Sequence, residues 1–312
     1  MAFRELSIGI VLLSQIVLGI LGNFSLLYYY LFLYFTGHRL KLTDLIISHL
    51  MVANSLTLLS RGIPQTMEAF GLKFFLSDIG CKLVFYLHRV GRGVSISSTC
   101  LLSVFQAIKI SPRNSRWAEL KVKAPKYIGF CIFLCWVLQM LLNITSPIYV
   151  TGKWDNRNAT MRKDLGFCSA EQTDIITVSL YAVLLLFPDI SSLGVMIWAS
   201  SFMVFILYRH RQKVQHIHKT NIFPRSFPES RATQRILILV NIFVSFYFIS
   251  AIIQVCISHS HKPSWLLVKI SAPISVCFPT FYPFVFMSHC FSVSRVFVRI
   301  RNTKPPDFAR NT

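Results

Sequence analysis

The sequence predicts an all-α membrane protein: one domain built as a seven-transmembrane helix bundle, N-terminus outside, C-terminus cytoplasmic. Three observations carry this. First, only 14% of the 312 residues are charged and 54% are hydrophobic, with a mean hydropathy of +0.55, whereas a soluble domain carries about 25% charged residues. Second, the chain holds seven apolar runs, each reaching the ~20 residues that cross a bilayer. Third, Lys and Arg segregate into alternate connecting segments. The 27 Phe, 11 Tyr and 5 Trp exclude disorder. With 13 Gly, 13 Pro and 8 Cys in so long a chain, collagen-like and disulfide-scaffold classes are excluded as well. The net charge of +20 is no nucleic-acid footprint, because the bases lie in short segments between apolar runs and not on a soluble scaffold.

Taken in order, the first span is expected at 7–35, within a stretch that carries no charge. It is too long for a signal-peptide core and lacks the basic leader, so it serves as a span. The second, 45–66, is uncharged up to Arg61 and continues past Pro64 if that base is tolerated. The third, 83–108, has the weakest signal, because it holds His88, Arg89 and Arg92. The fourth, 127–150, is charge-free. The fifth, 175–208, holds only Asp189; at 1.5 Å per residue it is ~50 Å long and extends beyond the bilayer. The sixth, 236–258, is charge-free, and the seventh, 266–287, holds only Lys269. Residues 288–312 form a short basic tail. Runs of this length without alternation are helices and not barrel strands of ~10 residues. Pro64, Pro188, Pro273, Pro279 and Pro283 are tolerated because neighbours in a bundle can satisfy the freed backbone groups.

The connections set the orientation. The segments 36–43, 109–126, 209–235 and 288–312 hold twenty Lys and Arg, against eight in the N-terminus, 68–82, 151–174 and 259–264. Cytoplasmic loops carry the excess of bases, so the first group is expected inside. An even number of spans would scramble this separation.

Cys81, at the outer start of the third span, and Cys168, in the loop after the fourth, both fall outside, where disulfides persist. Closing that loop stabilises by ~4 kcal/mol in the chain-entropy model; the alternative is two free thiols. Cys100, Cys131, Cys135, Cys256 and Cys277 fall within spans, as small apolar packers. Cys290 lies just inside the membrane beside bases, where either acylation or a plain thiol fits. Asn158-Ala159-Thr160 is a glycosylation sequon in an expected outer loop. Asn23 lies inside a span and Asn143 near the end of one, so neither sequon is expected to be modified.

Longer strings narrow the class. Thr43-Asp44-Leu45-Ile46, Ser48-His49-Leu50, Val52-Ala53-Asn54-Ser55-Leu56 and Gly62-Ile63-Pro64-Gln65-Thr66-Met67 come first. The run from Gly80-Cys81-Lys82 through His88-Arg89-Val90-Gly91-Arg92-Gly93-Val94-Ser95 to Phe105-Gln106-Ala107-Ile108 follows, then Val214-Gln215-His216-Ile217-His218 and Pro228-Glu229-Ser230-Arg231-Ala232-Thr233. Over nearly the whole chain these strings resemble the vomeronasal type-1 receptors, a family of pheromone receptors among the G-protein-coupled receptors. The resemblance implies a small-molecule pheromone ligand, an inhibitory-type heterotrimeric G protein as partner and a place in the plasma membrane. Gly22-Asn23 and Trp136 resemble features of the wider rhodopsin-like group. Phe105-Gln106-Ala107 stands where that group has Asp-Arg-Tyr, Asn54 stands for its second-helix acid, and Pro279-Thr280-Phe281-Tyr282-Pro283 replaces Asn-Pro-x-x-Tyr. An ionic lock and a sodium site are therefore not carried over. A bitter-taste receptor is the runner-up, and a small transporter the alternative from another class, although no internal repeat relates the two halves.

The candidate ligand residues are His88, Arg89, Arg92, Ser95, Asp189 and Lys269. Arg89 and Arg92 lie ~12 and ~16 Å along the helix from Cys81, too deep for easy snorkelling. A base at that depth costs ~2.5–3.5 kcal/mol to insert and faces the bundle interior. His88, Arg92 and Ser95 fall on one helical face. With Arg61 and Lys269 also in the outer half, bases outnumber nearby acids, so an anionic or acceptor-rich ligand is expected in an electropositive cavity. The competing reading pairs the same bases with Asp189, carbonyls or water. Candidate G-protein contacts are Arg113, Arg209, Arg211, Lys213, His216, His218 and Arg231, although topology alone would also leave a basic loop beside anionic lipid. No cofactor, no metal and no enzyme constellation is expected, and Asp44 and Asp189 lie too far apart for a protease pair.

Overall fold

The computed structural model describes residues 2–37, 40–72, 76–111, 117–151, 162–164, 167–171, 175–217, 228–259 and 265–302. They form seven helical rods and one small sheet. The rods are α1 (Ala2–Phe35), a second rod made of α2 (Leu42–Thr57), a π turn (Leu58–Gly62) and α3 (Ile63–Ala69), then α4 (Asp78–Ile110), α5 (Trp117–Leu142), α6 (Ile175–Ile217), α7 (Pro228–His259) and α8 (Trp265–Asn302).

Six stretches among the described residues are long and apolar enough to cross a membrane: Glu5–Phe35, Leu42–Ala69, Asp78–Ile110, Glu119–Ile148, Leu186–Arg209 and Lys269–Met287. The expected sixth span, 236–258, falls within α7, whose described apolar stretch is the shorter Val240–Ser250. Within the expected fourth span, 127–150, the regular helix gives way before the apolar stretch does. α5 stops at Leu142 and the chain turns through a 3-10 segment, Ser146–Tyr149, since Pro147 lacks the N–H that would continue the ladder. Conversely, α8 runs on through the first half of the basic tail, to Asn302.

The outside is apolar where a water-soluble bundle is polar. Phe130, Phe133 and Leu141 on α5, Phe187, Ile190 and Phe205 on α6, and Leu21 and Tyr28 on α1 stand exposed, while Asn23, Asn54, Thr99 and Ser103 are fully buried. A soluble monomer exposes only a few hundred Å² of contiguous apolar surface; exposed Phe, Leu and Ile around an interior that mixes apolar and polar side chains suit hydrocarbon.

Local chemistry explains the breaks. Lys41 donates its backbone N–H to Asp44 Oδ2 at 2.9 Å, so Asp44 caps the start of α2. Ser77 accepts from the backbone N–H of Gly80 and caps α4. Pro64 has no N–H for the carbonyl of Ser60, four residues back, and its ring would crowd that carbonyl in a regular α-helix. The π turn at Leu58–Gly62 absorbs this.

α4 packs against α2, α5 and α6, and α1 lies along α8. Small residues make these approaches possible. A Cβ on Gly22 would stand 2.7 Å from Pro283 Cγ, and one on Gly91 would stand 3.1 Å from the carbonyl of Ala53. Pro283 leaves the carbonyl of Pro279 without its helical donor, and Asn23 Nδ2 supplies one at 2.9 Å. A buried polar side chain on α1 thus repairs a proline break in α8.

The all-α expectation omitted a small antiparallel sheet in the loop after α5. Its strands are β1 (Val150–Thr151), β2 (Arg162–Asp164) and β3 (Ser169–Glu171), in the order β1-β3-β2 with Ala170 opposite both Val150 and Lys163. Next to β3, Cys168 is joined to Cys81 at the start of α4, with Cα atoms 6.0 Å apart. Both cysteines are fully buried with Val150 and Phe167. The bond holds the sheet against the bundle and marks the disulfide end of the molecule.

Candidate functional site

A cavity opens between four helices toward the middle of the bundle. Thr57 comes from α2, Arg92, Ser95 and Ile96 from α4, Phe243, Phe246, Tyr247 and Ser250 from α7, and Ile274, Ser275, Phe278 and Pro279 from α8. The helical periods that put these residues on inward faces also put Ile47, Leu50 and Met51 into the core below. The space open to the centre of a water molecule is about 50 Å³, room for roughly three to five waters. A larger organic ligand therefore requires its walls to move.

Four of the twelve lining residues are aromatic, Phe243, Phe246, Tyr247 and Phe278, and five are polar, Thr57, Arg92, Ser95, Ser250 and Ser275. Phe243 meets Phe278 edge to face at 4.3 Å between ring centroids and stacks on Tyr247 at 6.1 Å. The Arg92 guanidinium lies 4.9 Å from the Tyr247 ring centroid, within cation–π range. The same tyrosine donates its hydroxyl hydrogen to Asp189 Oδ2 at 2.7 Å. Arg92 and Asp189 are thereby linked through one phenol, with the ring face toward the cation and the hydroxyl toward the acid.

The six residues expected from sequence separate into distinct environments. Arg92 and Ser95 line the cavity. Ser95 also donates to Asn54 Oδ1 at 2.8 Å, so part of its capacity is committed to α2. His88 is buried one turn from Arg92 on the same face, with its Nε2 3.3 Å from Arg61 Nη1. Arg89 is half-buried and does not line the cavity. Asp189 also stands off the cavity lining, held by Tyr247. Lys269 pairs with Glu68 at 2.8 Å, both side chains being about four-fifths buried. That pair links α3 to α8 nearer the disulfide end.

Sequence reasoning missed Tyr247, the residue that connects the cation and the acid. One Tyr in an aromatic run gives no signal of its own; only the crossing of α4, α6 and α7 makes it the bridge. Arg61 was visible as an intramembrane base, but its contact with His88 spans two rods. Of the cytoplasmic set, Arg209 is exposed near the far end of α6; Arg211, Lys213 and His216 lie in the last turns of α6 and Arg231 in the first turn of α7. Arg113, His218 and the sequon at Asn158 lie outside the described residues, and the side chain of Cys290 is likewise not described.

Known sequences match this chain over most of its length. The model of the vomeronasal organ pheromone receptor family matches residues 6–299. The human vomeronasal type-1 receptor 4 is 58% identical over 288 residues, covering 92% of this chain and 95% of that one. Its counterpart from Pongo pygmaeus is 57% identical over 296 residues, 95% and 98% of the two chains. Vomeronasal type-1 receptor 90 of Rattus norvegicus is 34% identical over 251 residues, 80% of this chain and 81% of its own. This bundle, with its disulfide-tied loop and helices long and apolar enough to cross a membrane, therefore belongs to the vomeronasal type-1 pheromone receptor family.

Proposed function

We propose that this chain is a G-protein-coupled pheromone receptor of the plasma membrane, with its N-terminus outside and its C-terminus in the cytoplasm. It binds a small volatile or anionic ligand in the disulfide-side half of the bundle and activates a heterotrimeric G protein of the inhibitory type. The observation that carries the reading is the cavity shared by α2, α4, α7 and α8, which presents Arg92, Ser95 and Tyr247 among Phe243, Phe246 and Phe278. Rings provide most of the contact area for a small apolar body, and Arg92 supplies a charge for an acceptor. His88, Arg89, Asp189 and Lys269 act around this core, setting its charge and holding its walls.

Because about 50 Å³ is too little for most organic ligands, binding and helix rearrangement are coupled. A ligand that fits only the expanded cavity shifts the population toward that state. The basic ends of α6 and α7, which carry Arg209, Arg211, Lys213, His216 and Arg231, meet the G protein, joined by Arg113 and His218 of the neighbouring connecting segments. Asn158, in the loop expected outside, carries glycan.

The test is ligand-dependent nucleotide exchange on an inhibitory-type G protein in membranes expressing the chain, screened with volatile and sulfated compounds. Activation is expected from part of that panel, with potency lowered at least tenfold in Arg92→Ala at equal surface expression. Solute flux in the absence of any G protein, without exchange, would overturn the reading in favour of a transporter. Unaltered potency in Arg92→Ala would remove Arg92 from the site.

A further inference from the structure

We infer that the cavity between α2, α4, α7 and α8 holds its ligand by a hydrogen bond that the ligand donates, and so selects a hydroxyl-bearing compound over the matching ether, ketone or ammonium ion. The inference rests on the receptor reading above and names the chemistry of its ligand.

Five of the residues lining the cavity carry a hydroxyl: Thr57, Ser95, Tyr247, Ser250 and Ser275. Four of those hydrogens are already committed. Thr57 Oγ1 donates to the carbonyl of Ala53 at 2.9 Å, and Ser275 Oγ donates to the carbonyl of Ala272 at 2.7 Å. Ser95 donates to Asn54 Oδ1 at 2.8 Å, and Tyr247 donates to Asp189 Oδ2 at 2.7 Å. A carbonyl only accepts, so the direction of the bonds at Thr57 and Ser275 is fixed. A hydroxyl oxygen that has given its hydrogen keeps lone pairs and can only accept from a newcomer.

Proline adds a further acceptor on α8. Pro279, itself in the lining, has no N–H for the carbonyl of Ser275, four residues back. One turn along, Pro283 does the same to the carbonyl of Pro279, and Asn23 Nδ2 donates there at 2.9 Å. Ser275 belongs to the cavity wall, so a ligand hydroxyl can take at Ser275 the part that Asn23 takes at Pro279.

Charge narrows the donor. The Arg92 guanidinium is in the lining, 4.9 Å from the Tyr247 ring centroid, whereas Asp189 is held by Tyr247 outside it. An ammonium ligand would bring a second positive charge beside Arg92 where little water screens it. A neutral hydroxyl donates without that cost. Ile96, Phe246, Ile274 and Phe278 remain to hold a compact hydrocarbon body.

The experiment reads melting temperature by tryptophan fluorescence on the purified full-length chain in detergent. Cyclopentanol, cyclopentyl methyl ether, cyclopentanone and cyclopentylammonium are titrated separately. Cyclopentanol is expected to give a saturable rise at about 5- to 10-fold lower concentration than the ether or the ketone, the effect of one hydrogen bond. Cyclopentylammonium should give none. The alcohol-to-ether ratio is then measured in Thr57→Val, which keeps the shape and loses the acceptor, in Ser275→Ala, and in Pro279→Ala, which returns an N–H to the Ser275 carbonyl. It should fall to about one or two in at least one of them and stay near the original value in Thr57→Ser. A ratio taken within each variant cancels any general loss of stability, and the three substitutions sit on two helices, so one that does not purify leaves the others to be read.

Equal half-saturation by alcohol and ether, a rise with the ammonium ion that matches the alcohol, no saturable rise with cyclopentanol, or a ratio that none of the three variants moves would each overturn the inference. The assay contains no G protein, so failure of nucleotide exchange would refute the receptor reading and leave this result untouched.

Discussion

Breaking the Lys269–Glu68 pair measures how firmly α8 is tied to α3. The nitrogen and oxygen are 2.8 Å apart, and the side chains are 21% and 17% exposed. At an effective dielectric constant of about 20, two unit charges at that distance attract by about 6 kcal/mol before any costs. Desolvation and side-chain ordering offset most of it. Exposed pairs retain about 0.2–1 kcal/mol, and removing one partner of a fully buried pair costs about 3–5 kcal/mol. Four-fifths burial places this pair between those limits, at about 2 kcal/mol. Lys269→Met should therefore destabilise the purified receptor by about 2 kcal/mol in detergent unfolding, and Glu68→Gln by a similar amount. The double variant Lys269→Met/Glu68→Gln should cost clearly less than their sum, since no lone charge remains. A coupling below about 0.5 kcal/mol in that double-mutant cycle would refute the reasoning, because the pair would then behave as a solvated one. Ligand potency read on the same variants separates a tether from a contact: the double variant should keep potency if Lys269 only holds the helices.

Three further outcomes follow from named contacts. Cys168→Ala releases an 87-residue loop, worth about 4.5 kcal/mol in the chain-entropy model; thermal stability and surface expression should fall, and Cys81→Ala should add little when combined with it. Gly22→Leu forces side-chain atoms into Pro283 and should cost about 1–3 kcal/mol, whereas Gly129→Leu, with nothing within 4 Å of its Cβ, should leave the melting temperature unchanged. Tyr247→Phe keeps the ring under Arg92 and removes the hydroxyl bound to Asp189. It should lower potency about fivefold, the effect of about 1 kcal/mol for a charge-assisted bond to a half-buried acid, and unchanged potency together with unchanged stability would show the bridge to be idle.

Much of the architecture was legible because hydrocarbon imposes a one-dimensional code. Length and apolarity marked the rods, and the i, i+4, i+7 spacing placed His88, Arg92 and Ser95 on one buried face of α4. What the sequence did not show was local. The 3-10 segment after Leu142, the sheet around Cys168 and the π turn before Pro64 depend on backbone hydrogen bonds made after the chain has folded back. Arg92 and Ser95, singled out by depth and face, lie in the cavity lining. Lys269 looked like a cavity base, because its partner Glu68 lies 201 residues away in sequence.

By itself, the sequence determined the medium, the helical rods and the family, since each rests on composition or on strings read along one strand of chain. Only the tertiary structure decided which partner each cation meets: Lys269 with Glu68, Arg92 through Tyr247 to Asp189, and Arg61 against the imidazole of His88. Those choices depend on where separate rods cross. A crossing is set by the small residues, proline breaks and ring shapes of two helices at once, and no segment read alone contains it.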